Sequence, residues 1–377
     1  MEYKFSKLYS WMSGKPISAN EHGTIPVYGS NGIIGYTDNS KYFNKIILGR
    51  VGAYCGSVEY CPTEFNATDN TLITTCNEKL ITYPFAFYSL KLMKLNNFAG
   101  GSAQPLITQG LLKHLKCDVP SIEKQKIIAN ILSAYDNLIE NNNKRIKLLE
   151  QMAENLYKEW FVRFRFPGYE NEHYIEDIPS SWSYVQLGDI ASFDRGISYS
   201  SDEINCDDGI NLINLKNVQS YGGFRRDGTK QYNGKYKDSQ IVVAGDLIIG
   251  VTDMTQDRRT VGSVALIPQL SGTSVISADL VKVNLKVPNV FFYCMCRYGF
   301  YSKYFSQFAN GANVLHLKPN VLLNKKILLP IAELIEAFAE KVQPMIDIMD
   351  DLNCQNDLLT KQRDLLLPRL MSGKLEV

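Results

Sequence analysis

The residues whose types and grouping could do chemistry are arginine, lysine and asparagine, and the chemistry is recognition rather than bond making. Arginine offers a planar fork of donors that fits guanine O6 and N7, asparagine can bridge adenine N6 and N7, and lysine holds phosphate as a point charge. Two stretches rich in glycine gather them. The first carries Ser30, Asn31, Lys41, Lys45 and Arg50; the second carries Lys216, Asn217, Arg225, Arg226, Lys230, Lys235 and Lys237, and Arg258 and Arg259 follow in a TQDRRT loop. The segment GGFRRDG, Gly222 to Gly228, mixes an aromatic ring, glycine and paired arginines as nucleic-acid loops do. Taken singly, each of these residues reads better as a solvated surface residue. The grouping is what points to a polyanion.

Catalytic constellations are missing from the same sequence. A methyltransferase acting on a flipped adenine needs an NPPY-type motif and a Gly-rich cofactor loop, and a translocase needs GxxxxGK[ST] to cradle phosphates; none occurs. Asp207-Asp208 and Asp350-Asp351 are adjacent carboxylates, which point apart on a helix or strand and read as solvated. Cys55, Cys61, Cys76, Cys117, Cys206, Cys294, Cys296 and Cys354 lack CxxC spacing, and His22, His114, His173 and His316 are dispersed, so no metal site is expected. The thiols read as reduced and mostly buried.

A chain of 377 residues, 45% hydrophobic and 21% charged, predicts a globular protein of two domains. The sequence contains no apolar run suited to a membrane, and its start, MEYKFSKLYSW, lacks a signal-peptide pattern, so a cytoplasmic location is expected. The net charge of +1 conceals an alternation. Residues 1–120 hold 11 Lys/Arg against 8 Asp/Glu and residues 180–330 hold 16 against 12, whereas 121–179 hold 8 against 10 and 331–377 hold 5 against 9. Two mildly basic blocks thus alternate with two acidic ones, as suits DNA-facing domains separated by segments that face a protein partner or water.

The chain is written twice. Phe98-Ala99-Gly100-Gly101-Ser102-Ala103 returns as Phe308-Ala309-Asn310-Gly311-Ala312-Asn313, an offset of 210 that Pro120 and Pro330 share. Upstream, Gly14 matches Gly196 and Gly56-Ser57-Val58 matches Gly262-Ser263-Val264, so insertions lie in the second copy. After each proline a stretch without glycine and with helical periodicity begins, at Ser121 or Ala332, reaching about Phe164 or Met371. A heptad seam of Ile128, Tyr135, Asn142, Leu149 and Leu156 repeats at the same offset as Phe338, Met345, Leu352, Leu359 and Leu366, which predicts that the two helices pack as an antiparallel coiled coil. Pro344 is expected to kink the second helix or shift its start. The blocks before the helices contain KIILG, TLITT, DLIIGV, GSVALI and DLVKVNL, short β-branched runs that read as strands, interrupted by helical patches at FAFYSLKLM and NVFFYCMCRYGFYSKYF.

The expected fold is therefore α+β: two strand-rich mixed domains, 1–120 and 166–330 (the latter opening with a linker, 166–181), separated by long antiparallel coiled-coil helices at 121–165 and 331–377, with a pseudo-twofold internal repeat. A helix of about 40 residues is roughly 60 Å long, an upper bound of about 18 base pairs of B-DNA. Two unlike copies on such a pair suggest a device that reads two short elements a set distance apart. The rival from another class is a coiled-coil scaffold that binds proteins; DNA affinity falling steeply with salt would discriminate against it.

The runs IPVYGSNGIIGYTD (Ile25 to Asp38), VPSIEKQKIIANILSAYDNLIENNNKRIKLLEQMAENLYKEWFVRFRFPGYE, IPSSWSYVQLGDI and QRDLLLPRLMSGKLEV resemble, in order, a target-recognition domain, the central spacer helix, the second domain's opening and the terminal helix of type I restriction-modification specificity subunits. The resemblance covers nearly the whole chain. It implies a non-catalytic subunit that binds double-stranded DNA at a bipartite target and assembles with two modification (methyltransferase) subunits and with restriction (translocase/nuclease) subunits. S-adenosylmethionine, ATP and Mg²⁺ then belong to those partners, with no cofactor on this chain. Two features depart from the family's pattern. The first domain begins at Met1 without the Trp-containing opening that Trp182 gives the second, and Ala332-Glu333-Leu334 stands where the first helix has Ile122-Glu123-Lys124-Gln125.

Overall fold

The computed structural model describes all residues except 102–104 and 205–207. Ser102 and Ala103 of the repeated motif, Cys206 and Asp207 lie outside the described residues. Contacts divide the chain into two compact units, Met1–Asn141 with Asn356–Val377 and Asn142–Gln355. The division falls within both long helices, Ile122–Tyr157 and Ala332–Met371, so each unit owns one half of each.

In the first unit, a six-stranded sheet runs in the order Tyr9–Ser13, Thr71–Cys76, Tyr42–Gly49, Val58–Ala67, Ile25–Gly29, Gly32–Thr37. Its central strand shows why these residues form it. Alternation sends Ile46 and Leu48 to a core shared with Phe85 and Leu90 of the helix Tyr83–Leu92, while Ile47 faces a smaller cluster with Phe65 and Ile73. The first long helix is tied in by Gln125, fully buried, whose amide accepts from the Thr82 N–H at 2.9 Å and donates to the carbonyls of Leu80 and Pro120. Its next turns, Ile128, Ala129 and Leu132, join the core together with Leu367 and Leu370 from the end of the second helix. Arg363 pairs with Asp136 at 2.5 Å, and the Tyr88 hydroxyl donates to the same carboxylate.

The second unit has two four-stranded sheets. One runs Ala191–Arg195, Leu280–Leu285, Leu247–Gly250, Val264–Leu266; the other runs Lys230–Tyr232, Ile210–Ile213, Ser274–Ile276, Ile241–Val242. Helices Asn289–Tyr298 and Tyr301–Ser306 form where the aromatic-rich patch predicts them. The first long helix ends here in a π-helical turn, Lys158–Val162, that buries Trp160 and Phe161. Those rings meet Phe338, near the start of the second helix, at 5.8 and 4.9 Å between centroids. Within each unit, then, an early part of one helix meets a late part of the other, and the helices run antiparallel. All ten heptad positions are buried or half-buried. Pro344 neither delays the second helix nor ends it: the α-helix starts at Ala332 and runs through it, since the buried Phe338 and Val342 on one side and Met349 and Leu352 on the other hold the flanking turns.

The repeat extends to individual hydrogen bonds. Phe5 N–H donates to Leu115 and Leu187 N–H to Lys325, each at 2.8 Å; Tyr3 faces Cys117 and Val185 faces Ile327 in matching short antiparallel pairs. Gly100 and Leu106 exchange two backbone bonds, as Asn310 and His316 do. Gly14 and Gly196 abut backbone so closely that a Cβ would lie 2.1 Å from Thr68 O and 2.0 Å from Ser277 O. Gly56 and Gly262 both adopt left-handed φ, 89° and 80°, against the backbone of a following helical turn.

Candidate nucleic-acid interface

Two loops meet at the same place in each copy. In the first unit Thr68 N–H donates to Tyr28 O, and in the second Ser277 N–H donates to Ile213 O, which makes Tyr28 and Ile213 equivalent. Three residues further on, Asn31 and Lys216 correspond. Likewise Gly49 bonds Ser57 and Gly56 as Gly250 bonds Ser263 and Gly262, so the loop containing Arg50 and Tyr54 corresponds to the loop Val251–Val261.

The first unit closes this junction tightly. The Ser30 hydroxyl donates to Asn70 O at 2.7 Å, and Ser57 Oγ donates to Ser30 O at 2.8 Å. Asn31 is left exposed at the hairpin tip, with Tyr54 56% exposed on the adjoining loop. Arg50 is half-buried beneath them, near Ser13 Oγ. Lys41 is exposed just before the strand Tyr42–Gly49, at the end opposite Gly49.

In the second unit the loops touch where Tyr221 N–H donates to Arg259 O at 2.9 Å, and they border a cleft of about 650 Å³, lined on one side by Lys216, Gln219 and Arg225 and on the other by Met254, Asp257 and Arg259. The far loop is held by hydrogen bonds to buried and backbone groups. Asp253, buried, accepts from Thr255 N–H and Oγ and from Thr260 N–H at 2.8–2.9 Å, and from Val261 N–H at 3.3 Å. Burial alone would raise its carboxyl, but these donors outweigh burial and hold it below its ordinary value. Arg258, in left-handed conformation, donates to the carbonyls of Ser306 and Gln307, and Gln256 donates to Ala312 O. Met254 rides this frame 72% exposed. Arg225 and Arg259 pair with Asp227 and Asp257 across exposed surface, where such pairs exchange readily for other anions.

Not every expected contact faces the cleft. Asn217 is fully buried, donating to Arg225 O and Thr229 Oγ1 at 2.8 Å and accepting from Asn214 N–H; it shapes the loop instead of reading bases. Arg226 turns inward to Asp350, and Arg258 caps carbonyls as described. Lys45 is committed to Tyr83, 2.6 Å from the hydroxyl, and Lys230 lies over the Tyr199 ring. Lys235 and Lys237 are exposed but away from the cleft lining. Sequence reasoning missed Gln219, Met254 and Asp253; a threonine-rich loop with one buried acid, TDMTQDRRT, was the available signal for Asp253.

Among the described residues, no group of His, Cys, Asp and Glu could hold a metal, and the described cysteines are free. Burial pushes the Cys76 thiol up to about 12 and raises Cys294 and Cys296 as well, which keeps them protonated and inert. No helix among the described residues is long and apolar enough to cross a membrane.

A duplicated frame that presents cations, amides and an apolar tip on paired loops has the features of a recognition protein, with one candidate site in each copy. Residues 9–151 match the family described as type I restriction modification DNA specificity domain. The type I restriction enzyme MjaIX specificity subunit of Methanocaldococcus jannaschii is 27% identical over 315 residues, which cover 78% of this chain and 69% of the relative. The EcoprrI specificity subunit of Escherichia coli is 36% identical over 151 residues, 38% of this chain and 37% of the relative. The crystal structure of a type I restriction-modification S subunit from M. genitalium shares the fold with a TM-score of 0.67 at 17% identity, covering 98% of this chain and 95% of that one. The chain belongs to the family of type I restriction-modification specificity subunits.

Proposed function

We propose that this chain is the DNA-specificity subunit of a type I restriction-modification assembly, reading a bipartite target and carrying no catalysis itself. The observation that supports it best is the equivalence of the two loop junctions: the same point of a repeated frame carries Asn31 and Tyr54 in one copy and Lys216, Arg225, Met254 and Arg259 in the other. Two equivalent positions with unlike side chains suit two half-sites of unlike sequence. The antiparallel helices are the element that would fix the gap between half-sites. They also leave apolar side chains exposed to solvent in each unit, Ile127, Leu138, Leu358 and Leu365 in the first and Leu148, Met152 and Ile348 in the second, which would suit contact with modification subunits. Those subunits would supply S-adenosylmethionine-dependent methylation of adenine, and restriction subunits would supply ATP- and Mg²⁺-dependent translocation and cleavage, all in the cytoplasm.

Methylome sequencing of cells expressing this chain with its cognate modification subunit tests the reading. The expected result is one methylated motif made of two short defined elements separated by a constant number of unspecified bases. A motif that is continuous, or the same motif in cells lacking this chain, would overturn it.

A further inference from the structure

The cleft loop of the second unit does not hold its shape alone. Arg225 faces the cleft, and its neighbour Arg226 faces the opposite way, where its guanidinium pairs with Asp350 on the second long helix and donates to Gln269 O at 3.2 Å and Cys354 Sγ at 3.3 Å. Asp350 is used by both oxygens, since its second one accepts from Gln269 N–H at 2.7 Å. At the loop's other end, Gly222 and Gly223 lie against Arg297, so near that an added Cβ would be 3.2 Å from Cγ and 3.4 Å from Nη1. Arg297 in turn bonds the Tyr293 hydroxyl and pairs with Glu150 of the first long helix at 3.1 Å. The segment Gly222–Arg226 is thus braced to both helices, each time by an arginine that is about one-fifth exposed and paired with a helix carboxylate.

We propose that Asp350 and Glu150 are positioning residues for target recognition: they belong to the helices, yet they set where Arg225 stands in the cleft, and so they determine part of the second half-site. A charged pair held together with further hydrogen bonds, as Asp350 holds both Arg226 and the Gln269 N–H, fixes position as well as energy, and an arginine displaced by an ångström loses its match to a base edge. Removing the charge on Asp350 takes away the carboxylate that Arg226 pairs with, and the single amide oxygen left there cannot accept from both Arg226 and the Gln269 N–H, so the loop resettles. A second domain moved onto another helix pair would accordingly need an acid at position 350 to keep its specificity.

The proposal rests on the DNA-specificity reading above, and its test keeps the two separate. The full chain is expressed with its modification subunit as wild type, D350N, D350E, E150Q and, as a control at the adjacent exposed acid, D351N. If the wild type gives no bipartite motif, the functional reading fails. Given that motif, D350N should retain the first half-site and the gap while discrimination at one or more positions of the second half-site falls at least tenfold, measured as methylation of the full motif over single-mismatch sites. D350E should recover part of that ratio, and D351N should match wild type. An unchanged ratio in D350N, or a uniform drop in methylation with the motif intact, would reject the positioning role and leave Asp350 a stabilising residue only. Should D350N fail to accumulate, E150Q decides by the same ratio.

Discussion

The loop Gly49–Gly56 of the first unit has eight residues and the equivalent loop Gly250–Gly262 of the second has thirteen, though both are hung from the same hydrogen bonds at their glycine ends. The short loop is closed by local backbone: Cys55 N–H donates to Gly52 O, and its thiol to Arg50 O. The long loop cannot close that way, because loop entropy and orphan N–H groups both grow with length. It recruits a buried carboxylate, Asp253, and an arginine, Arg258, to hold the added residues. The frame is thus a constant mount, and diversity is confined to what bridges its fixed points.

If the mount is common to both copies, damage to it should be equally severe in each. Gly14→Ala and Gly196→Ala each force a Cβ into a backbone carbonyl that cannot swing away, and each should cost about 3 kcal/mol or more. Hydrogen exchange resolved by unit should show the loss in the unit that carries the substitution. Tolerance of one alanine and not the other would break the equivalence of the frames.

The next effect separates the copies. Asp253→Asn removes a charged acceptor of four bonds and should cost about 2 kcal/mol, with second half-site discrimination falling and the first half-site unchanged. Acid should act in the same direction. The folded carboxyl lies below its unfolded value, so its contribution is complete above about pH 4 and is lost as pH falls through the folded value. Protection from exchange in residues 253–261, corrected for the intrinsic pH dependence of exchange, should then fall at low pH in wild type but not, beyond its already lowered level, in Asp253→Asn. A comparable acid response in residues 50–56 would contradict the contrast drawn between the loops.

Most of the mount was legible in the sequence: the offset of 210, the glycine pairs, the strand runs and the heptad seam are periodic or local signals, and hydrophobic burial obeys them. The replacement of Gln125 by Ile335 at that offset was legible as a departure, and its reason is now physical. Gln125 satisfies the backbone of Leu80 and Thr82, whereas Ile335 is buried in the second unit's apolar core. The site was legible only as a neighbourhood. Whether an arginine faces a cleft, as Arg225 does, or a carboxylate on a distant helix, as Arg226 does, depends on contacts 124 residues apart, which adjacency in GGFRRDG cannot encode.

The smallest expected effect concerns the exposed apex of each loop, Met254 at 72% and Tyr54 at 56%. An exposed side chain on a braced loop adds little to folding, so Met254→Ala and Tyr54→Ala should each leave stability within about 0.5 kcal/mol of wild type. The exposed Met254 thioether and Tyr54 ring are suited to a thymine methyl or a base face, contacts worth on the order of 1 kcal/mol, or about fivefold in affinity. The two should act reciprocally: Met254→Ala loosens one position of the second half-site only, and Tyr54→Ala one position of the first only. Competition binding of the assembled complex to duplexes varied one base at a time reads both. If either substitution loosened the opposite half-site, the loops would not be the separate heads that the repeated frame implies.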